Sequence, residues 1–442
     1  TATNAKKFTY SVWIKRSKIA SGTNQRFYQG WESGNNRFYA FFVDTTGSDA
    51  DKLWIYAVTG GTIEVYWVSD RRFRDTNAWY HIVFSADSTQ ASQDDRLKVY
   101  VNGVQETSWT KNNNPSQNID WGNQIAQSSG DLTISGTEGQ NQMFDGLMSH
   151  IHFIDGTAYD ASAFGSTDSV TGEWKINTSP NVNYGSQGYF ILKDDNSNLD
   201  RSGQNNHFTI GGTLTKTEDN PSNIFATLNP LDGHLGNSTF TYGNTRFNSE
   251  TSSNVTYATS TLGMVSGKFY FEAKLETAAD HNYIGIADLP SPSTSHYFGN
   301  TAYEYGYKSS SGDKKNNNTS TSYGNTYTTN DIVMCAVDLD NLKVYFGKNG
   351  TWQNSGDPTS GSTGTGAAYT ITAPSSTTGG QYFFCVADGT TSNNSRWRPN
   401  FGNGYFGDTA IASAGTNASG LGIFEYDVPT GYTALCTKGL NE

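Results

Sequence analysis

Short runs of aromatic and β-branched residues, separated by glycine, asparagine, aspartate and serine, fill nearly all of this 442-residue chain. Within each run, hydrophobic residues alternate with the period of two that β-strands show, and the residues between runs are those that turns prefer. No amphipathic helix longer than two turns is found. The chain is therefore predicted to be all-β and antiparallel. In the first hundred residues the runs are FTYSVWIKRS, RFYAFFVD, KLWIYAVTG, TIEVYWVSD, WYHIVFSAD and LKVYVNGVQ.

One of these runs recurs in similar form later in the chain. LKVYVNGVQ begins at Leu97, and LKVYFGKNG begins at Leu342. In the first copy, alternation places Leu97, Val99 and Val101 on one face of a strand. The pair Asn102-Gly103 that follows can take the positive φ angles of a type I′ hairpin turn. This segment is therefore predicted to be a strand that ends in a tight hairpin.

The second copy has the same design, with Leu342, Val344 and Phe346 on one face and Asn349-Gly350 as the turn. Each copy follows a strand of similar pattern, AWYHIVFSAD in one case and DIVMCAVDLD in the other. The same β unit thus occurs once in each half. We therefore predict two antiparallel β-sandwich domains of the jelly-roll kind.

A stretch with weaker patterning lies between the halves and contains one clear strand, YFILKDD. Its prolines, Pro180, Pro221 and Pro230, disfavour regular strand pairing nearby. We interpret it as an ordered connector with one or two strands. The predicted boundaries are 1–176 for the first sandwich, 177–235 for the connector, and 236–442 for the second sandwich with its C-terminal tail.

The charge of the chain is low and negative, with 29 Lys and Arg against 41 Asp and Glu and a net charge of −12. Negative potential opposes the phosphate neutralisation on which nucleic-acid binding depends. No run of about 18 apolar residues is present, so no membrane insertion is expected.

The chain has three scattered cysteines, which are too few for a disulfide framework. Cys335 and Cys385 lie in apolar runs and are predicted to be buried thiols. This cysteine usage favours a protein that folds inside a cell.

The first half resembles a laminin-G-like jelly roll of the concanavalin A type over about residues 8 to 175. The resemblance is carried by FTYSVWIKR, AWYHIVFSAD, LKVYVNGVQ and FDGLMSHIHFIDGTAYDASAFG, in that order. The second half resembles a SPRY domain between Gly267 and Gly402. Its motifs are GKFYFEAKLE, YIGIAD, YGYKSS, NDIVMCAVDLDNLKVYFGKNGTW, YFFCVADG and PNFG.

The pairing of these modules, with NIFATLNPLDG between them and VPTGYTALCTKGLNE at the end, resembles virion proteins of marine tailed bacteriophages. The resemblance implies a non-enzymatic structural protein, a tail fibre or a capsid decoration, made in the host cytoplasm and displayed on the virion surface. It also implies a role in host attachment through weak binding to a cell-surface glycan. The expected partners are other virion proteins and further copies of the chain, with a trimer as the expected oligomer.

Two side-chain pairs were candidates for catalysis or metal binding. In FEAKLE, Glu272 and Glu276 share a strand face, but a solvated face explains them as well, and they lack a companion acid. The E-x-D-x-x-E pattern of concanavalin A-type hydrolases does not occur. In LMSHIHFID, His150 and His152 either chelate a soft metal or belong to a polar face opposite the core, and the polar face is favoured.

A calcium site is the metal hypothesis that the sequence supports best, because many laminin-G-like domains bind calcium and one loop is rich in oxygen ligands. A loop rich in Asx turns explains the same residues and is favoured over the calcium site. The residues concerned are Asp194, Asp195, Asn196, Asn198 and Asp200.

Aromatic residues are the candidate ligand contacts, because a sugar ring stacks its apolar face on an aromatic side chain. Trp13, Trp54 and Trp79 lie in strand patterns and are predicted to be core residues. Trp31, Trp109 and Trp121 in the first half lie among polar residues and are predicted as surface aromatics, and a packing role explains each of them equally well. In the second half, Tyr297, Tyr303 and Tyr305 lie in a loop-rich segment, where the SPRY resemblance implies contacts with a ligand or partner.

Three functions remain open from the sequence. The favoured one is a virion protein that attaches to host glycans. A purely architectural fibre or cement subunit is the first alternative. A polysaccharide hydrolase of the concanavalin A type is the second, and the missing pattern of acids disfavours it.

Overall fold

A computed structural model describes residues 2–19, 22–43, 47–122, 131–137, 141–193, 197–212, 214–232, 238–249, 255–391 and 394–441. The chain divides into two compact units, residues 1–216 and residues 217–442. Each unit is built from antiparallel sheets that pack face to face. The prediction of an all-β fold with two sandwiches is confirmed.

The first unit contains two main sheets and one small strand pair. Its β1 sheet has the order β14-β11-β1-β6-β7-β8, its β3 sheet has the order β10-β2-β3-β4-β5-β9, and β12 pairs with β13. The strands are β1 (Lys7–Arg16), β2 (Gln25–Ser33), β3 (Asn36–Phe42), β4 (Lys52–Thr59), β5 (Thr62–Arg72), β6 (Tyr80–Asp87), β7 (Leu97–Val101), β8 (Val104–Gln105), β9 (Trp109–Asn113), β10 (Asp131–Ile134), β11 (Gly146–Asp155), β12 (Gly165–Thr167), β13 (Trp174–Ile176) and β14 (Tyr189–Ile191).

The core of the first unit lies between its two sheets, because alternate residues of each strand point inward. Tyr10 of β1 and Phe84 of β6 meet at a ring-centroid distance of 5.9 Å, and Phe84 lies 6.1 Å from Phe38 of β3. All three side chains are fully buried. Burial of each such ring contributes about 2–3 kcal/mol. The aromatic content of the strands thus holds the two sheets together.

The second unit is also a sandwich of two main sheets. Its β18 sheet has the order β15-β16-β28-β18-β23-β24-β25, with β26 added to β24 and β31 added to β18, and its β19 sheet has the order β17-β27-β19-β20-β21-β22. The strands are β15 (Thr239–Thr241), β16 (Arg246–Asn248), β17 (Thr256–Thr259), β18 (Lys268–Thr277), β19 (Asn282–Ala287), β20 (Tyr305–Lys308), β21 (Asp313–Asn316), β22 (Thr319–Ser322), β23 (Ile332–Asp338), β24 (Lys343–Lys348), β25 (Thr351–Trp352), β26 (Tyr369–Thr370), β27 (Phe383–Asp388), β28 (Arg396–Asn400), β29 (Tyr405–Phe406), β30 (Thr409–Ala410) and β31 (Thr433–Ala434).

The repeated sequence phrase forms equivalent hairpins in the two units. Asn102 and Gly103 have φ angles of 48° and 79°, and Asn349 and Gly350 have φ angles of 47° and 80°. Both pairs therefore have the backbone that a type I′ turn requires, as predicted. The hairpins also share a context, since β1-β6-β7-β8 in one unit has the same neighbour order as β18-β23-β24-β25 in the other.

The predicted connector is divided between the two units. Its strand β14 joins the edge of the β1 sheet, where Ile151 pairs with Ile191. Further along, Ala226 and Leu228 are fully buried in the core of the second unit. The connector residues thus complete both sandwiches.

A C-terminal segment, which we call the strap (residues 415–436), covers the outer face of the β18 sheet. Phe424 and Tyr432 of the strap pack with Tyr270 of β18 and Tyr345 of β24 in a second hydrophobic cluster, and all four are buried. The strap ends by pairing β31 in parallel with β18. The C-terminal tail of the second sandwich is therefore an integral layer of that unit.

Helical structure in the described residues consists of short 3₁₀ turns, at Gln93–Asp95, Ala161–Ala163, Gln353–Ser355, Pro358–Thr363, Pro374–Ser376 and Gly439–Asn441. No helix in the described part of the chain has the length and apolar character that crossing a bilayer requires. Cys335 and Cys385 are buried free thiols, as predicted, and Cys436 is buried as well.

Candidate functional site

The outer face of the β3 sheet carries six aromatic side chains, which we call the aromatic face. In β3, Phe38, Ala40 and Phe42 point into the core, so Tyr39 and Phe41 point outward. The same alternation in the neighbouring strands adds rings to this face. The set is Trp31 from β2, Tyr39 and Phe41 from β3, Trp54 and Tyr56 from β4, and Tyr66 from β5.

The rings of the aromatic face are in contact from strand to strand. Trp31 and Tyr39 stack at 6.2 Å with an interplanar angle of 4°, and Tyr39 stacks on Tyr56 at 6.2 Å and 20°. Tyr56 then meets Tyr66 edge to face at 6.0 Å. Register explains the row, because Tyr39 pairs directly with Tyr56, and Tyr56 with Tyr66.

The remaining two rings extend the face along the strands. Trp54 lies 5.3 Å from Tyr66 and 5.6 Å from Phe41. Phe41 is buried, whereas the other five rings of the set are half-buried and reach solvent. A contiguous partly exposed aromatic surface of this kind marks a binding surface more often than chance exposure does.

Arg26 of β2 lies over one end of the aromatic face. Its guanidinium carbon is 3.8 Å from the centre of the Tyr39 ring and 5.8 Å from that of Phe41. The guanidinium donates to the side-chain oxygens of Gln29 and Gln142, and its Nε is buried without a hydrogen-bond partner. Burial lowers the pKa of Arg26, although Tyr39 opposes this, and the group remains a cation at neutral pH.

Arg37 of β3 lies beside the same row, near its Trp31 and Tyr56 rings. Its guanidinium carbon is 5.4 Å from the centre of the Tyr56 ring and 5.9 Å from that of Trp31. It donates to the Tyr56 hydroxyl at 3.4 Å and to the carbonyl oxygen of Gly34. Within the described part of the chain, all partners of Arg26 and Arg37 are neutral, so neither guanidinium is paired with a carboxylate.

The three tryptophans predicted at the surface have different environments. Trp31 lies on the aromatic face. Trp109 is half-buried at the edge of the core, 5.7 Å from Trp67, and its indole N–H donates to the carbonyl oxygen of Glu106. Trp121 is fully buried and meets Phe8 edge to face at 5.6 Å, so its prediction as a surface aromatic is wrong.

The prediction that Trp54 is a core residue is also wrong, whereas Trp13 and Trp79 are buried as expected. Trp54 belongs to a strand in which both faces are apolar, since Leu53, Ile55 and Ala57 fill the core side. Alternation alone therefore does not distinguish the core side from the outer side.

The predicted tyrosines of the second unit are also divided. Tyr297 is 43% exposed and Tyr303 is half-buried against the core, so both reach the surface. Tyr305 is 4% exposed, and its hydroxyl accepts from the Thr372 backbone N–H, so it is a core residue and its predicted role as a contact is wrong. The loop that carries Tyr297 is organised by Glu304, whose carboxylate accepts the backbone N–H of Gly299 and pairs with His296 at 2.7 Å.

Glu272 and Glu276 do not form a solvated strand face, contrary to the sequence interpretation. Glu272 is fully buried under the strap and accepts hydrogen bonds from the Tyr270 hydroxyl and from the backbone N–H groups of Glu425 and Tyr426. Burial raises the pKa of Glu272 to about 7 against those hydrogen bonds.

Glu276 lies in a different environment on the same strand. Arg246 binds it through two hydrogen bonds of 2.7 and 2.9 Å, and Arg398 adds a third at 2.8 Å. The Arg246 guanidinium, helped by Arg398, lowers the pKa of Glu276 to about 2 although partial burial opposes the shift. Both carboxylates are therefore occupied by structural partners.

The histidines of β11 are buried rather than placed on a polar outer face. His152 is 1% exposed, stacks on Phe190 at 3.9 Å and shares a hydrogen bond with the Tyr184 hydroxyl. His150 is 7% exposed and contacts the Ser149 hydroxyl. The segment that follows β11 covers this part of the β1 sheet, which is why the interpretation of a polar face was wrong.

A buried Ser–His contact was not recognised in the sequence. His81 Nε2 lies 2.8 Å from the Ser11 hydroxyl, and the Trp174 indole donates to His81 Nδ1 at 3.0 Å. Burial lowers the pKa of His81 to about 3, so the ring is neutral. Because Nδ1 accepts from the Trp174 indole, the ring proton is on Nε2. The imidazole therefore donates to Ser11 and is not placed to take its proton.

The proposed calcium loop is described only in part, because Asp194, Asp195 and Asn196 lie outside the described residues. Both oxygens of Asp200 accept hydrogen bonds, Oδ1 from the backbone N–H of Phe190 in β14 and Oδ2 from the Ser202 hydroxyl. Asn198 donates to the carbonyl oxygen of Phe208. Among the described residues, no group of three or more His, Cys, Asp or Glu side chains is arranged to hold a metal ion.

Each half of the chain matches a known family over part of its length. Residues 1–163 match the family described as the concanavalin A-like lectin/glucanases superfamily, a laminin G type, and residues 268–385 match the SPRY domain. No curated protein sequence matches the chain.

Solved structures of SPRY domains are also similar to part of the chain. The SPRY domain of human HERC1 is 17% identical, with 35% of this chain and 86% of that chain covered and a TM-score of 0.27. Another human SPRY domain is 13% identical, with 35% of this chain and 90% of that chain covered and a TM-score of 0.26. From the family matches and the two observed sandwiches, the chain contains a laminin-G-like, concanavalin A-like domain followed by a SPRY domain.

Proposed function

We propose that this chain is a non-enzymatic virion protein of a tailed bacteriophage and that its aromatic face binds a glycan of the host surface. The observation that carries the proposal is the row Trp31, Tyr39 and Tyr56, whose rings are stacked, partly exposed and flanked by guanidinium groups. Sugar rings place their apolar faces on such rings while their hydroxyls accept hydrogen bonds from polar neighbours. A surface of this kind suits weak and repeated attachment.

The side chains with acid–base potential support a binding role over catalysis. The carboxylates of Glu272 and Glu276 are held by structural hydrogen bonds, and the proton of His81 points at Ser11. A retaining hydrolase would need two free carboxyl groups about 5 Å apart across a substrate cleft. The proposal therefore assigns no reaction to the chain.

The remaining parts of the proposal concern location and partners. The protein is made in the host cytoplasm and displayed on the virion surface, as a tail fibre or capsid decoration, where it contacts other virion proteins. It assembles as a homo-oligomer, with a trimer as the expected form. A net charge of −12 argues against nucleic acid as a partner, and no insertion into a membrane is proposed.

Glycan binding and adsorption to host cells test this function with the full chain. Trp31→Ala and Tyr39→Ala each remove one stacked ring and should weaken glycan binding about tenfold, which corresponds to about 1.4 kcal/mol. Tyr242→Ala is the matched control, because it removes a 44% exposed ring of the second unit that is not among the predicted ligand contacts, and it should leave glycan binding unchanged.

Two outcomes would contradict the proposal. Equal loss in the control and in both aromatic-face variants would show that the aromatic face is not the binding surface. Absence of binding to any host glycan, with normal incorporation of the chain into particles, would leave the purely architectural role.

A further inference from the structure

We propose that the ligand of the aromatic face is an extended acidic polysaccharide, which lies across strands β2 to β5 and places carboxylates on Arg26 and Arg37. This inference rests on the proposed glycan-binding function and specifies the class of glycan. It depends on three features of the face, namely its length, its two guanidiniums without a carboxylate partner among the described residues, and the way in which those guanidiniums are held.

The length of the face favours a chain over a single sugar. Trp31, Tyr39, Tyr56 and Tyr66 come from four neighbouring strands, and each ring contacts the next. Strands in a sheet lie about 4.8 Å apart, so the row spans about 14 Å. A monosaccharide would cover only part of this row, whereas consecutive sugars of a polymer would cover all of it.

The charge of the face favours an anion. The chain has 41 acidic and 29 basic residues, yet neither Arg26 nor Arg37 is paired with a carboxylate in the described part of the chain. Some arginines of the first unit have acidic partners, such as Arg16 with Asp51 and Arg71 with Glu106. Others donate to backbone carbonyl oxygens, as Arg72 does to Ala50 and Arg96 does to Gln90, but these two do not lie over the rings of the aromatic face. The two guanidiniums on the aromatic face thus retain charge that an anionic ligand would neutralise.

The aromatic rings hold both guanidiniums in place before any ligand binds. Arg26 lies on Tyr39 at 3.8 Å, and Arg37 lies near Tyr56 and Trp31 at 5.4 and 5.9 Å. Cation–π contacts of this kind restrict the rotamers of long side chains. Less conformational entropy is then lost when a carboxylate binds to the planar guanidinium.

A matched pair of polymers tests the inference with the full chain. One polymer is a linear polyuronate, and the other is the same polymer after reduction of its carboxyl groups to primary alcohols. The wild type should bind the polyuronate at least about tenfold more tightly than the reduced polymer. The preference should shrink as salt is raised, because charge–charge attraction at a surface is screened. The free monosaccharide uronate should compete weakly.

Substitutions then locate the source of the preference. In Arg26→Gln/Arg37→Gln the two polymers should bind with equal affinity, whereas Trp31→Ala should weaken both. Because Arg26 packs on Tyr39, its replacement also removes a packing contact of the sheet. Arg37→Gln alone is therefore the second variant. It should reduce the logarithm of the affinity ratio between polyuronate and reduced polymer by about half. Thermal unfolding of each variant checks the fold.

The outcomes separate this inference from the proposed function. Equal wild-type affinity for the two polymers, with binding of both still weakened by Trp31→Ala, would overturn the acidic specificity and retain glycan binding. A preference for polyuronate that survives both arginine substitutions would also overturn the inference, since other cations would then be responsible. Absence of binding to either polymer and to every other host glycan would overturn the function and the inference together.

Discussion

The β3 sheet of the first unit and the β18 sheet of the second unit both carry aromatic side chains on the face turned away from the core. On the β3 sheet Tyr39 and Tyr56 remain half-buried. On the β18 sheet Tyr270 and Tyr345 are 0% and 1% exposed, because the strap packs over them. The two faces have similar residues, and a segment that lies far away in the sequence makes the difference between a surface and a second core.

This difference separates two uses of the same sandwich plan. A covered face contributes to stability through buried apolar area. A partly exposed face contributes less to stability, because its rings already contact water in the folded state, and it is free to bind a ligand. Removal of a ring from the covered β18 sheet should therefore mainly lower stability. Removal of a ring from the exposed face of the β3 sheet should mainly weaken ligand binding.

The largest expected difference concerns removal of one ring from each face. Phe424 of the strap is 1% exposed and meets Tyr270 edge to face at 5.0 Å. Phe424→Ala should lower the free energy of unfolding of the second unit by about 4 kcal/mol. Tyr39→Ala should cost the first unit only about 1 kcal/mol. Hydrogen exchange of peptides from β18 and β3 in the full chain measures each unit separately, and equal costs would contradict the comparison.

The equivalent hairpins offer the second contrast. A Cβ at Gly103 would lie 2.3 Å from the Trp174 ring, whereas a Cβ at Gly350 would lie 2.9 Å from the Tyr426 ring, and both glycines have positive φ. Gly103→Ala should therefore cost about 3 kcal/mol, and Gly350→Ala about 2 kcal/mol. Denaturant unfolding measures the loss of unfolding free energy in each variant. A larger loss for Gly350→Ala than for Gly103→Ala would contradict the prediction.

The covered face should also make the second unit sensitive to pH. Burial raises the pKa of Glu272 from 4.5 to about 7, so the folded state binds a proton more tightly than the unfolded state does. The free energy of unfolding should then fall as pH rises from about 4.5 to about 7, by about 2 kcal/mol. Glu272→Gln should remove this part of the pH dependence. An unchanged slope in that variant, measured by urea unfolding at pH 5 and pH 7, would show that the carboxyl group under the strap does not titrate.

Glu276 should act in the opposite sense and over a lower pH range. Arg246 and Arg398 lower its pKa from 4.5 to about 2, so its contribution to stability is present above about pH 4.5 and is lost as pH falls through about 2. Its side chain is 22% exposed, so solvent screening reduces the effect to about 1 kcal/mol. Glu276→Gln should lower stability at pH 7 by that amount and have no effect at pH 2. A loss of similar size at both pH values would contradict the assignment.

The hairpins and strand faces could be predicted because their determinants are local. Asn102-Gly103 and Asn349-Gly350 specify the turns, and Leu97, Val99 and Val101 alternate with polar neighbours, so one face is clearly apolar. These features depend on residues within a few positions of one another. They hold regardless of what packs on the other side of the sheet.

The aromatic face could not be predicted in the same way. In RFYAFF both sets of alternate residues are apolar, so the period of two does not show that Tyr39 points outward. Arg26 and Arg37 at the ends of these strands were the available signal, because a charge that alternates with core residues marks the outer face. The surface prediction for Trp121 was wrong because it relied on polar neighbours. In an irregular segment, polar neighbours do not prevent one side chain from inserting into the core.

The burial of Glu272 is caused by a segment that is distant in the sequence. Its partners Glu425 and Tyr426 lie more than 150 residues further along the chain, and no pattern near Glu272 indicates that a segment will cover it. The burial of Tyr305 also depends on a distant segment, because its hydroxyl accepts from the backbone N–H of Thr372. Long-range coverage of a sheet face is the property that local sequence patterns leave undetermined.

Hydroxyl-radical footprinting of the full chain, with and without polyuronate, tests most directly whether one face is a binding surface and the other a second core. In the free protein Trp31, Tyr39 and Tyr56 should be oxidised, while Tyr270, Tyr345 and Phe424 should be protected, in line with their exposure. Added polyuronate should protect the first set and leave the second set unchanged. Equal oxidation of both sets in the free protein, or no protection of the first set under conditions where the polymer is bound, would contradict the account.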